Sequence, residues 1–437
     1  MLVDTLINSR WIIPVEPHGL ILEHHSIAIL NGQIVELLPT EEALAKYQAG
    51  SMETLNDHVL IPGLVNCHTH SPMSFLRGIA DDLPLMEWLQ STIWPLEQKW
   101  VDESFVREGT ELAIAEMLRG GITCFNDMYF FPEISARAAL ASGIRACIGL
   151  IVIDFPSAWA NNSDEYIRKG LVLHDELRNE SLVNAAFAPH APYSVSDDAL
   201  RKVKMYSDEL QLPIHMHVHE TRDEIDQQIQ STGTRPLERL ENLGLLGPSF
   251  IAVHMTQLDE DEIARLAEHG CHVVHCPKSN LKLASGFCPV SQLLENGINV
   301  ALGTDSAASN NSLDIVDEMR TAALLAKGIA GDASAVPAAM ALRMATLNGA
   351  TALGIDDRCG SLKAGKSADL TAMSLDSLET LPVYNPCSQI AYSASRNQVT
   401  DVWVAGRRML KSGELTTLDS TQIKRSISEW SAKLQAS

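Results

Sequence analysis

Between residues 59 and 303 the chain repeats one unit, a short and almost wholly apolar segment followed by a longer stretch with helical spacing. Eight apolar segments stand out: Val59–Cys67, Ile122–Met128, Arg145–Ile153, Val183–Pro189, Pro213–His219, Phe250–Met255, His272–Cys276 and Asn299–Gly303. Helix-patterned segments such as 105–119, 197–210 and 259–269 lie between them, the last two opening on acidic residues that suit a helix N-terminus. Near-continuous apolar strands that alternate with helices pair in parallel and are covered on both faces. Eight such units in about 250 residues is the size of a (β/α)8 TIM barrel, so the expected fold class is α/β. An open doubly wound sheet would carry a Gly-rich phosphate turn after its first strand, and none is there.

The two ends read differently. Residues 1–57 hold short strand-like pieces, LINSRWIIPV and HSIAILNGQIVELLP, with a turn at Asn31-Gly32. The tail contains SLKAGKSADLTAMSL and VTDVWVAGRRMLKSGEL, the second with a hairpin expected at Ala405-Gly406. Neither end is long enough to build a stable sheet alone, so the economical arrangement pairs them. The expected domains are a small β-sandwich from 1–57 plus 366–437 and a barrel from 58–365.

Charge narrows the partners. Lys and Arg number 33 against 55 Asp and Glu, a net charge of −22 spread along the chain. Such a surface repels phosphate backbones, so neither nucleic acid nor an anionic membrane is expected as a partner. The first residues lack a basic start followed by an apolar signal core, and no apolar run approaches the length of a spanning helix. None of the 8 cysteines forms CxxC, and most fall inside apolar runs, which reads as reduced, buried thiols in a cytoplasmic protein.

Active sites of such barrels lie at the C-terminal ends of the strands, so polar residues there are the candidates. The first strand delivers His68 and His70, at i and i+2 on an extended backbone and therefore on one face. With 15 histidines in the chain an HxH pair alone carries little weight; its position at a strand end carries more. The fifth strand offers His215, His217 and His219 followed by Glu220, the sixth ends near His254, and the eighth in Asp305. His68, His70, one fifth-strand histidine and Asp305 would supply the three or four N/O donors of a metal centre with room left for water.

The stretches HTH after PGLVN, HETRDE, PKSNLKLASG and GTDSAASNN resemble the amidohydrolase superfamily over essentially the whole chain. The resemblance is to its 5′-methylthioadenosine/S-adenosylhomocysteine deaminase group, related to triazine chlorohydrolases. It implies a β-sandwich plus a (β/α)8 barrel, a purine nucleoside substrate and a homodimer or homotetramer. Position by position it implies His68, His70, His217 and Asp305 as ligands of one divalent ion, zinc first, with iron or manganese also accepted by such donors. Glu220 then becomes the acid/base at the purine N1, His254 the residue beside the attacking water, and Asp305 the acceptor of its proton. His215 and His219 become ordinary strand residues. No lysine ends the fourth strand, where binuclear relatives carry a carbamylated one, so a single metal is expected. Glu97, in STIWPLEQKW, matches the glutamate that binds ribose hydroxyls, and His190 the histidine at the purine N3; Trp88, Trp94 and Met86 are candidates for an apolar lid. Relatives that accept S-adenosylhomocysteine carry arginines after the third strand, whereas this chain has none before Arg168. Asp154 there would repel a carboxylate, while Phe155, Pro156 and Trp159 suit a thioether methyl. Methylthioadenosine is therefore the expected substrate, with adenosine second and S-adenosylhomocysteine poor. The alternatives are a guanine deaminase, a triazine chlorohydrolase or a catalytically silent binding barrel.

Overall fold

The computed structural model describes residues 1–436. Its central scaffold is a parallel sheet of eight strands in sequential order: β1 Leu64–Thr69, β2 Ile122–Met128, β3 Arg145–Val152, β4 Val183–Pro189, β5 Ile214–Val218, β6 Phe250–His254, β7 His272–His275 and β8 Asn299–Leu302. Seven of the eight expected strands end within a residue of the observed ones, because a strand buried on both faces is apolar throughout and its limits show. The sheet comes round on itself where the Asp305 N–H donates to the His68 carbonyl at 3.0 Å. This is the TIM barrel expected from the sequence.

The first expected strand, Val59–Cys67, is two strands. Val59–Pro62 ends a long strand, Gln48–Pro62, whose Leu60 and Ile61 pair with Ala372 and Thr371 in a different sheet. Gly63 then separates it from β1. A Cβ on Gly63 would lie 2.0 Å from Thr123 Oγ1, so only glycine passes there. Both halves are buried, and an unbroken apolar run hid the join.

That second sheet is mixed and draws its eight strands from both chain ends. From one edge the order is Glu414–Leu415, Arg407–Lys411, Val399–Val404, Leu370–Ser374, Gln48–Pro62, Leu2–Ile12, Leu22–Leu30 and Gln33–Pro39. It curls back on itself: Ile34 N–H donates to Lys366 O, and Gly365 N–H to Ile34 O, both at 2.8 Å. The enclosed core includes Ile7, Ile27, Ile29, Leu60, Leu370 and Trp403. The turns at Asn31-Gly32 and Ala405-Gly406 both have two successive positive φ values, 51° and 76° in one and 48° and 74° in the other, which matches the right-handed twist of two-residue hairpins.

The chain divides into two compact units, Met1–Asn66 with Ala115–Cys124 and Asp314–Leu418, and Cys67–Ile114 with Phe125–Leu313 and Asp419–Ser437. The second unit thus takes the last segment, which is expected with the sandwich from sequence alone. Ser420–Gln435 is a helix, capped by Asp419, whose Trp430 packs against Phe75 and Phe105 and donates Nε1–H to Glu108 at 2.9 Å. Among the described residues no helix is long and apolar enough to cross a membrane, and all eight cysteines are buried.

Candidate active site

Four donors converge where β1, β5 and β8 end. His217 Nε2 lies 3.2 Å from His68 Nε2 and 3.3 Å from His70 Nε2, and Asp305 Oδ1 lies 3.3 Å from each of the last two. The remaining ring nitrogens are already committed. His70 Nδ1 meets the Met128 carbonyl and His217 Nδ1 the His190 carbonyl, both at 2.6 Å, while His68 Nδ1 meets His215 Nε2 at 3.0 Å. A carbonyl only accepts, so the protons of His70 and His217 sit on Nδ1 and their Nε2 lone pairs face each other and a carboxylate. Such a buried arrangement needs a cation at its centre. Donor separations of this size surround a point about 2 Å from each atom, the length of zinc–nitrogen and zinc–oxygen bonds. The residues therefore fit a single divalent metal.

Beside this group stand Glu220 and His254. Glu220 follows β5, and burial raises its carboxyl above the ordinary range while His254 opposes the rise. His254 Nε2 is 3.7 Å from Glu220 Oε2, and His254 Nδ1 is 2.8 Å from Asn280 Oδ1. The backbone turns sharply at these strand ends: His219, His254, Met255 and Asp305 all have positive φ. At His254 and Asp305 that turn aims the side chains into the mouth, as sparsely populated conformations do at functional sites.

The mouth opens into a cavity of about 670 Å3, within the range of small-molecule sites. His70, His217, Glu220, His254 and Asp305 line its floor, with Glu97, His190, Trp88 and Trp94 around them. Residues 85–101 form the wall as an α-turn at Leu85–Trp88, a π-turn at Leu89–Ile93 and an α-helix at Trp94–Trp100. Leu85, Leu89, Ile93, Glu97 and Val101 all face the cavity at a constant spacing of four. In a plain α-helix that spacing drifts by about 40° per step, and the wider π-turn cancels part of the drift. Trp88 is buried and Trp94 is 40% exposed. Met86 does not reach the cavity. His190 is held neutral, burial pushing it down to about 3, and its Nδ1 meets Ser194 Oγ at 3.2 Å.

The amidohydrolase family model matches residues 59–409, four-fifths of the chain. The chain belongs to the amidohydrolase family. A 5-methylthioadenosine/S-adenosylhomocysteine deaminase from Saccharophagus degradans is 49% identical over 99% of this chain and 97% of its own length. The crystal structure of an adenosine deaminase from Xanthomonas campestris, with bound zinc, is 50% identical, covers 100% of this chain and 99% of that one, and superposes with a TM-score of 0.99. An atrazine chlorohydrolase from Arthrobacter aurescens, also solved with zinc, covers 98% of this chain and 99% of its own with a TM-score of 0.90. At 21% identity it shares the fold alone.

Several residues of this amidohydrolase site depart from the sequence reading. His215 is not an ordinary strand residue, since its Nε2 holds His68 Nδ1. His219, where the strand has ended, turns away and accepts from Leu237 N–H at 3.1 Å. Asp154 does not line the cavity; its carboxylate accepts the Ser196 N–H at 2.6 Å. Trp159 is also outside it, buried against Tyr166 and donating to Glu133. Phe155 and Pro156 do line it.

Other residues carry the site without having been singled out for it. Ser279 and Ser309 donate to Asp305 Oδ2 at 2.6 and 2.8 Å. Glu224 accepts the N–H groups of His219 and Glu220 at 3.1 and 2.8 Å, which fixes the turn carrying Glu220, and burial pushes its carboxyl up to about 8. Ser279, Ser309 and Glu224 all sit inside the motifs PKSNLKLASG, GTDSAASNN and HETRDE. Polar residues within a motif at a strand end were the available signal.

Proposed function

We propose that this chain hydrolytically deaminates adenine nucleosides, taking 5′-methylthioadenosine in preference, adenosine second and S-adenosylhomocysteine poorly. The observation that carries the reading is one cavity of nucleoside size in which a four-donor metal group, a buried acid and a buried imidazole meet. The close likeness to deaminases, against a distant one to a chlorohydrolase, supports the same choice.

A divalent metal held by His68, His70, His217 and Asp305, zinc being the simplest occupant, would supply the positive charge that makes water acidic enough to attack at neutral pH. Asp305 accepts the proton of the attacking water through the carboxylate that Ser279 and Ser309 hold. Glu220, its carboxyl kept protonated further up the pH scale by burial, donates to the purine N1 and makes C6 electrophilic. His254 accepts from the attacking water through Nε2 and orients it toward C6. The amino group takes up the proton held by Asp305 and departs as ammonia, and the added hydroxyl gives its remaining proton back to Glu220, leaving the inosine-type product. Glu97 receives the ribose hydroxyls, His190 the purine N3, and Trp88 and Trp94 cover the substrate.

The 5′ end decides between substrates. No lysine or arginine lines the cavity, and Arg168 is exposed beside Glu165. A charged homocysteine tail would lose water there without gaining a partner, whereas a thioether methyl finds Phe155 and Pro156. A cytoplasmic location and a homodimer or homotetramer go with this reading. The test is a screen for ammonia release from adenosine, methylthioadenosine and guanine, and for chloride release from a chlorotriazine. Turnover of adenine nucleosides is expected, and turnover of guanine or chlorotriazine without them overturns the reading.

A further inference from the structure

Glu97 is the one acidic side chain of the cavity wall that stands outside the group formed by Asp305 and Glu220. With no lysine or arginine lining the cavity, it has no cation there to pair with. Its carboxylate is held instead by Tyr129, whose hydroxyl donates to Oε1 at 2.7 Å. A carboxylate has about four acceptor positions, so one donor leaves most of them open to the cavity.

The two residues come from different kinds of scaffold. Tyr129 directly follows β2, is 4% exposed, and packs its ring at 5.4 Å from Phe130. Glu97 sits on the helical wall just after the π-turn, on a longer side chain with more rotamers. The hydroxyl thus ties a mobile acceptor to a fixed point of the barrel. Burial pushes the Glu97 carboxyl up to about 7, and the Tyr129 hydrogen bond pulls against that rise. Without the phenol the side chain would keep a proton further into the neutral range and lose acceptor capacity.

We propose that Tyr129 is a specificity-determining positioning residue, whose hydroxyl holds the Glu97 carboxylate where it accepts from the vicinal 2′ and 3′ hydroxyls of the substrate's ribose. This rests on the nucleoside reading above. The wall supplies an acceptor with no competing cation, and a furanose diol supplies two adjacent O–H donors at neutral charge. Tyr129 itself touches Glu97 and not the reacting atoms.

The test compares adenosine with 2′,3′-dideoxyadenosine on the metal-loaded enzyme and its Tyr129→Phe variant, which keeps the ring and its packing. On adenosine KM should rise about tenfold with kcat within about twofold, the pattern of lost binding rather than lost chemistry. On the dideoxynucleoside neither constant should move. Adding Tyr129→Phe to Glu97→Ala should change KM for adenosine by less than about twofold, because the two act as one unit. Equal KM shifts on both substrates, no shift on either, or a further tenfold loss in the double variant would each overturn the proposal. A wild-type enzyme inactive on every adenine nucleoside would instead overturn the nucleoside reading itself.

Discussion

His254 Nδ1 lies 2.8 Å from Asn280 Oδ1, both side chains buried beside the metal group. An amide oxygen only accepts, so the imidazole proton sits on Nδ1 and the Nε2 lone pair is left for water in the cavity. Asn280→Ala should lower kcat/KM by about 10–100-fold, the usual cost of removing a partner that orients a site histidine. Asn280 is not among the four metal donors, so metal content by elemental analysis should stay unchanged. An alanine variant with wild-type rates would mean that ring packing alone orients His254.

Glu220→Gln should retain the metal and lose turnover by about 10²–10⁴-fold, the range for removed general acid–base catalysis. The amide cannot deliver a proton to a ring nitrogen, yet it matches the carboxyl in size. Single-turnover kinetics on adenosine separate this from a binding defect. A variant within a few-fold of wild type would take Glu220 out of the proton path.

The 5′ substituent should be discriminated at the Phe155–Pro156 wall. A carboxylate and ammonium desolvated without partners cost about 1–3 kcal/mol, and burying a methyl is worth about 0.8 kcal/mol. Methylthioadenosine should therefore exceed S-adenosylhomocysteine by roughly 10²-fold in kcat/KM. Comparable efficiencies would show that a cation reaches the tail, Arg168 being the first to replace in search of it.

Burial raises the Glu97 carboxyl from its ordinary 4.5 to about 7, which makes its ionisation a cost to folding. Through that window the folded chain holds a proton that the unfolded chain has released, so stability from this residue falls as pH rises. Glu97→Gln should thus be more stable than wild type at about pH 8, by at most about 3 kcal/mol, and nearly equal at about pH 4. Urea midpoints at the two pH values read the difference. The same offset at both would show that water reaches the carboxylate.

Much of this was legible in the chain because burial leaves local marks. Strands covered on both faces, such as Val183–Pro189 with Asn184 as its one polar residue, are apolar over most of their length, and the polar residues at their C-terminal ends fall at the barrel mouth. His68, His70, His217 and Asp305 were readable as strand-end residues for that reason. The same marks failed where two buried segments abut. Val59–Cys67 reads as one strand because nothing apolar or polar distinguishes the end sheet from the barrel, and only Gly63 against Thr123 marks the join.

The sequence by itself determined the eight-strand repeat, the pairing of the two chain ends, the hairpins at Asn31-Gly32 and Ala405-Gly406, and the set of metal-binding candidates. These follow from period, polarity and turn chemistry, which act between near neighbours. Only the tertiary structure decided that His215 holds His68 while His219 turns away, that Asn280 meets His254, that Tyr129 meets Glu97 and that Trp159 misses the cavity. Each of those contacts joins, or fails to join, residues from separate elements. Their distances depend on how strands and helices pack and on where positive φ values turn the backbone, and no local pattern of residues carries that information.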